Sequence, residues 1–310
     1  MKKKIFWLIF LSISLLMAGC WGEKDKSNPF DVPYNNSSNA GYHSVNTPEL
    51  YGVGVGDTRD FKPAVPISIT SSLYKIATDT GAATLIGDIG YYVIGIAYDS
   101  NKKKLYGIAT NAVKGTLVIP SQLIEINMDT AKGKLIGDIV VTKEDYKVPP
   151  VVIAHSFSNP TFNSAGTLVA WNNTDGHICS IDLDDAKARC GEDVMKGADV
   201  VTEGELVSKN IVLSFNNFNV LYLIDELEVF TVNNEEEREF QGKLDKHLAV
   251  TNGDFNPVTG QFWGLYFNNV KGDDGVTGNL FVINIDERTL INTLSIPDNI
   301  QAITWVYDPI

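Results

Sequence analysis

The sequence predicts an all-β fold built from small meander sheets repeated around a ring. Three observations predict it. Short apolar runs recur between turns rich in Gly, Asp and Asn, the pattern of strands joined by tight connections. An aromatic residue followed by Asp or Asn and then a turn recurs as Tyr98-Asp99, Phe162-Asn163, Phe215-Asn216, Phe255-Asn256 and Tyr307-Asp308, at gaps of 64, 53, 40 and 52 residues. The last such run, Ile303-Thr304-Trp305-Val306, has no partner strand after it, whereas Glu49-Leu50-Tyr51-Gly52-Val53-Gly54-Val55 stands unpartnered near the start. No amphipathic helical period competes, which disfavours parallel α/β folds.

Each unit reads in the same order. The marker ends an inner strand, as in Val93-Ile94-Gly95-Ile96-Ala97-Tyr98-Asp99. A second strand follows about six residues later (105–109, 168–171, 221–224, 262–267), then a third (73–77, 123–128, 178–183, 227–232, 280–285). A polar turn such as Asp79-Thr80-Gly81 or Asp129-Thr130-Ala131 leads to a fourth, such as Thr84-Leu85-Ile86-Gly87 or Lys134-Leu135-Ile136-Gly137. A four-stranded unit of about 52 residues repeated around a ring is a propeller blade. Five markers therefore predict a five-bladed β-propeller of four-stranded antiparallel blades, closed by pairing the N- and C-terminal strands. Blade one takes its outer three strands from residues 49–89 and its inner strand from residues 300–308. Such closure protects sheet edges that would otherwise template aggregation. A sixth blade within residues 187–212 is the competing count.

The wording of Leu73-Tyr74-Lys75-Ile76, Asp79-Thr80-Gly81, Leu85-Ile86-Gly87 and Leu105-Tyr106-Gly107 resembles the propeller repeats of exported bacterial proteins of the NHL and YVTN type. The resemblance covers about residues 47–310. It implies an architecture and is nearly silent on function, since such repeats occur in binding proteins, scaffolds and enzymes alike.

Residues 1–19 read as a secretory signal: Lys2, Lys3 and Lys4, a short apolar run, then small residues before Cys20. The run is short for a membrane span of about 20 residues. Leu16-Met17-Ala18-Gly19-Cys20 resembles the bacterial lipobox, with Met17 in place of the usual Leu. The resemblance implies a lipoprotein signal peptide, with cleavage before Cys20 and acyl chains such as palmitate on that residue, which would anchor an exported domain to the cell envelope. Trp21, not Asp, follows the cysteine, and which membrane takes the anchor stays open. Residues 20–46 are polar, rich in Asn, Ser and Pro, and carry no hydrophobic period, the composition of a flexible tether. Residues 47–310 form the propeller domain.

Removing residues 1–19 removes three lysines and nothing acidic, so the formal net charge moves from −13 to −16. Such a surface is repelled by phosphate backbones, and nucleic acid is not an expected partner. A small polar ligand, a glycan, a divalent cation or an envelope protein remains open. Cys179 and Cys190 flank Asp184-Asp185 almost symmetrically, which places them opposite each other on neighbouring strands. In an exported protein that pairing predicts a disulfide; two buried thiols are the alternative.

The connectors divide by length. Inner-to-second and third-to-fourth hairpins are short and share one face. The longer connectors (57–72, 111–121, 140–150, 192–209, 268–279) fall on the other face by alternation of strand direction, and long loops on a rigid scaffold are where binding residues gather. Aligning the blades on the marker puts Tyr91, Tyr92, His155, Lys209, Asn210, His247, Asn299 and Gln301 around the mouth of that face. They form a polar and aromatic set fit for a small polar ligand. Asp273 and Asp274, within an acidic Gly-bearing loop, offer oxygens to calcium; a solvated turn is the alternative, and no other cofactor is expected. The marker Asp and Asn side chains are expected to cap their own turns, and Trp171 and Trp263 to pack in the core.

No catalytic residues are assigned. The predicted function is a membrane-anchored, non-enzymatic binding module. The alternative is a propeller glycoside hydrolase, which needs two carboxylates at a set separation; Glu144, Asp145, Glu203 and Glu205 are the acids on long connectors.

Overall fold

A computed structural model describes residues 47–55, 70–110, 120–141, 156–174, 176–190, 211–225, 227–232, 238–244, 250–267, 278–297 and 299–308. The strands form five antiparallel blades. Blade two holds β4 (Val93–Asp99), β5 (Lys104–Thr110), β6 (Ser121–Ile126) and β7 (Gly133–Asp138) in that order. Blade three holds β9 (Phe157–Phe162), β10 (Leu168–Asn172), β11 (His177–Ile181) and β12 (Lys187–Cys190), with the two-residue β8 (Val140–Val141) added in parallel to β12. Blade four is β13 (Ile211–Phe215), β14 (Leu221–Asp225), β15 (Glu228–Val232) and β16 (Arg238–Lys243). Blade five is β17 (Val250–Phe255), β18 (Phe262–Phe267), β19 (Gly278–Asn284) and β20 (Thr289–Ser295). Blade one joins the two ends of the chain: β21 (Ile300–Val306) pairs β1 (Glu49–Val55), followed by β2 (Ser71–Ile76) and β3 (Ala83–Asp88). The five-bladed propeller closed by its end strands is thus the observed fold; of the segment 187–212, the described ends 187–190 and 211–212 belong to blades three and four.

Burial follows position in the blade. Second strands lie between neighbouring sheets and are apolar on both faces: β10 is buried at all five positions. The outer strands β3, β7 and β16 share one pattern, with exposed side chains at their second, third and sixth residues. The core therefore fills the spaces between blades. One cluster joins Leu73, Val93, Tyr98 and Ile124 of blades one and two. Another joins Trp263, Leu265, Ile303 and Trp305 of blades five and one. Trp171 and Trp263 are core residues, as predicted, and Trp263 meets Trp305 edge-on at 5.2 Å between ring centroids.

The short turns are built from the predicted side chains. Asp99 Oδ1 accepts from the amides of Asn101 and Lys102; Asn163, Asn216 and Asn256 each accept from two amides of their own turns in the same way. Four third-to-fourth hairpins, those of blades one, two, three and five, carry a left-handed residue at one equivalent position: Gly81, Ala131, Ala186 and Arg288, with φ of 75°, 61°, 58° and 58°.

The fifth marker is displaced. Leu50 pairs with Trp305 as Leu105 pairs with Tyr98, Leu168 with Phe162 and Phe262 with Phe255. Trp305, not Tyr307, is the structural equivalent of the marker aromatic. Asp308 forms an ion pair with Lys103 at 3.2 Å. The physical reason is that the inner strand of blade one pairs with β1 from the far end of the chain and not with a strand joined to it by a short hairpin that an Asp or Asn would cap.

The disulfide is formed. Cys179 and Cys190 face each other across β11 and β12, with Cα atoms 4.0 Å apart.

Candidate functional site

The inner strands β21, β4, β9, β13 and β17 follow one another around the axis. Each pairs with its own blade on one edge only, so its other edge turns backbone N–H and C=O groups toward the axis, where they need partners. Side chains of neighbouring blades supply them. Ser71 Oγ accepts from Val93 N at 2.9 Å, and Ser121 Oγ from Phe157 N at 2.8 Å. Deeper in, Asn252 Nδ2 donates to Asn159 Oδ1 at 2.7 Å. Asn159 Nδ2 donates to Ile211 O at 2.5 Å, and Ile303 N donates to Asn252 Oδ1 at 2.8 Å. This amide pair joins blades three and five past the inner strand of blade four and plugs the axis. Asn159 holds a φ of 47°, a conformation that Asn tolerates better than most residues.

The residue before each marker aromatic forms the next level toward the short hairpins: Ala97, Thr161, Ser214, Asp254 and Thr304. Thr161 Oγ1 accepts from Phe215 N at 3.3 Å. Asp254 receives four hydrogen bonds: Ser214 Oγ (2.8 Å) and Phe255 N (2.9 Å) donate to Oδ1, and Thr304 Oγ1 (2.9 Å) and Trp305 N (3.0 Å) donate to Oδ2. One carboxylate thus holds blades four, five and one together. Burial raises its pKa above the ordinary carboxylate value, against the lowering effect of those four donors.

Above this girdle, on the hairpin face, opens a cavity of about 120 Å³ whose lining includes Ala97, Thr161, Asp254, Thr304, Asn216 and Tyr307. The rim hairpins are bonded to one another. Asn101 Nδ2 donates to Ser164 O, Ser164 N to Asn219 Oδ1, and Asn217 Nδ2 to Pro257 O, linking blades two to five in sequence. Sequence reasoning missed both the girdle and this cavity. The available signal was polarity at the position before the marker, in Thr161, Ser214 and Asp254, within otherwise apolar strands.

By alternation of strand direction, the strand ends Val55 and Ser71, Thr110 and Ser121, Asp138 and Phe157, Cys190 and Ile211, and Phe267 and Gly278 lie on the opposite face, whereas the short β8 runs beside the start of β12. Of the mouth residues read from the sequence, His155, Lys209, Asn210 and His247 lie outside the described residues, as do Asp273, Asp274, Glu144, Asp145, Glu203 and Glu205. Tyr91 packs against the cluster between blades one and two, beside Gly133 at the start of β7. Tyr92 and Gln301 are partly exposed. Asn299 Nδ2 donates to Val55 O at 2.8 Å and to Tyr74 Oη at 3.0 Å, so this side chain ties the closing strands together. A bulge between Val53 and Gly54 leaves Gln301 without a Cα partner, and simple alternation does not relate it to Asn299. Among the described residues no group of three or more His, Cys, Asp or Glu is arranged to hold a metal ion, and no helix is long and apolar enough to cross a membrane.

No protein-family model matches the chain, and no curated protein matches it in sequence. Among solved structures, similarity is found to a nidogen/laminin complex (12% identity, TM-score 0.46, covering 84% of this chain and 98% of that one). A protein of unknown function from Bacteroides caccae is similar at 11% identity and TM-score 0.45, covering 84% and 99%. TolB from Acinetobacter baumannii is similar at 10% identity and TM-score 0.45, covering 83% and 66%. Likeness at this level names neither a ligand nor a reaction for this chain.

Proposed function

We propose that this chain is an exported lipoprotein, cleaved before Cys20 and lipidated on it, whose propeller is a non-enzymatic binding module. Its ligand, a small polar molecule, a glycan or an envelope protein, engages the long-connector face. The observation that supports this is the division of labour between the two faces. Short, mutually bonded hairpins knit one face together, while the longer connectors after β1, β5, β12 and β18 leave from strand ends on the other. A rigid scaffold presenting its variable connectors from one side is an arrangement suited to recognition. The carboxylate at the axis, Asp254, is held by four donors, a setting that serves architecture rather than proton transfer.

A thermal-shift screen of the purified protein against oligosaccharides, divalent cations and cell-wall fragments tests the reading. A ligand present at 100 times its dissociation constant adds about 2.7 kcal/mol of stability. Alanine at Tyr92 and Gln301 is expected to weaken that ligand, while alanine at Phe218 on the hairpin face is not. Hydrolysis of a glycoside by the purified protein, lost on substitution of Glu144 or Asp145, would instead support the enzyme reading. Mass spectrometry finding an unmodified Cys20 in the mature protein would remove the anchor.

A further inference from the structure

We propose that the axial cavity on the hairpin face binds one small monovalent cation, either an alkali metal ion or a primary ammonium group. This site lies on the face opposite the longer connectors and does not depend on the binding role assigned to them.

Among the described residues, Asp254 is the only charged side chain lining the cavity, and no basic residue lines it. Its four partners among the described residues, two backbone amides and two hydroxyls, are all neutral. A carboxylate enclosed by neutral donors is stabilised in part, but its charge stays uncompensated, and burial disfavours it. One positive charge would compensate it.

The oxygens to receive such a charge are present. Thr304 Oγ1, in a lining residue, spends its proton on Asp254, which leaves its lone pairs as acceptors. Donation to a carboxylate makes a hydroxyl oxygen a better acceptor. Thr161 Oγ1 stands on the same girdle, in another lining residue. This is a set of hard, neutral oxygens with a single anion beside it. Divalent ions draw on several carboxylates or keep much of their water, so one carboxylate among hydroxyls favours a single charge. At about 120 Å³ the cavity is well below the roughly 300–1,000 Å³ of sites for drug-sized ligands, which favours an ion or a compact ammonium over a sugar.

The test is thermal unfolding of the purified protein in sodium, potassium, methylammonium and tetramethylammonium chlorides at matched ionic strength. The tetramethylammonium ion has the charge without the compact size or N–H donors, and serves as the reference. The expected result is a rise in Tm above that reference that follows a single-site curve with concentration. Sodium or potassium alone would identify a metal ion; methylammonium would identify an ammonium ligand. In Asp254→Asn the apparent dissociation constant is expected to weaken by about tenfold or more, since the charged partner is gone. Should that variant not fold, Thr304→Val keeps the side-chain shape and removes one oxygen, and is expected to weaken binding several-fold. Superimposed curves in all four salts would overturn the proposal. So would a salt response that survives unchanged in whichever of these variants folds.

Discussion

The amide pair at the axis gives the sharpest stability prediction. Replacing Asn252 with Ala strands two buried partners. Asn159 Oδ1 loses its donor at 2.7 Å, and Ile303 N–H loses its acceptor at 2.8 Å. Asn159 and Asn252 are 7% and 4% exposed, too enclosed for bulk water to replace both bonds. Each unsatisfied buried group costs about 1–3 kcal/mol, so the expected loss is about 2–6 kcal/mol, against a total of about 5–15 kcal/mol for an ordinary domain. Urea unfolding followed by tryptophan fluorescence is a suitable assay, because Trp263 and Trp305 sit in one core cluster with Ile303. With an m value near 3 kcal/mol/M, the midpoint falls by roughly 0.7–2 M. A double-mutant cycle with Asn159→Ala should return a coupling of about 0.5–3 kcal/mol. A loss below about 0.5 kcal/mol, the range of ordinary surface substitutions, would refute the idea that this pair carries the axis.

Three further outcomes follow from features elsewhere in the ring. Reducing the Cys179–Cys190 disulfide, which spans 11 residues, should cost about 2–3 kcal/mol, read as a lower urea midpoint with reductant and no change in a Cys179→Ser/Cys190→Ser variant. Burial raises Tyr98 and Tyr106 to about 12. With folded values above the unfolded value near 10, their contribution to stability is full below pH 10 and is lost as pH rises toward 12; a pH series of unfolding midpoints, with Tyr98→Phe as control, checks this. In Gly264→Ala the new Cβ would stand 2.3 Å from Cζ of the buried Phe281, an overpacking expected to cost about 1–3 kcal/mol by the same urea assay.

How much of this was legible in the sequence depends on how local the cause is. Strand order, blade count, turn caps and the disulfide were legible because each rests on neighbours in sequence: Asn163 caps amides two and four residues on, and Cys179 and Cys190 straddle one hairpin. The fifth marker misled because Trp305 and Tyr307 are both aromatic and an Asp follows only the second. What separates them is the pairing of Trp305 with Leu50 across the whole chain. The axial girdle was hidden for the same reason. Asn159 and Asn252 are 93 residues apart, and the need they meet, unpaired backbone on inner edges, exists only once the ring has closed. Blade-to-blade packing also escaped notice: a Cβ on Gly87 would meet Thr130 and Ala131, and one on Gly137 would meet Ala186 and Asp185. Glycine at these two places lets each outer strand approach the next blade's turn.

Joining the first and last strands in one blade also sets a timetable. As the chain is made, β1 must wait beside β2 with one edge open until β21 has appeared. Asn299 Nδ2 reaches back 244 residues to Val55 O. Contacts of such separation form late and slowly, and an open strand edge held that long invites pairing with a neighbouring molecule. The seven residues of β21 are therefore the latch of the whole molecule. A nascent chain lacking them is expected to keep four blades' worth of local structure and to self-associate through β1.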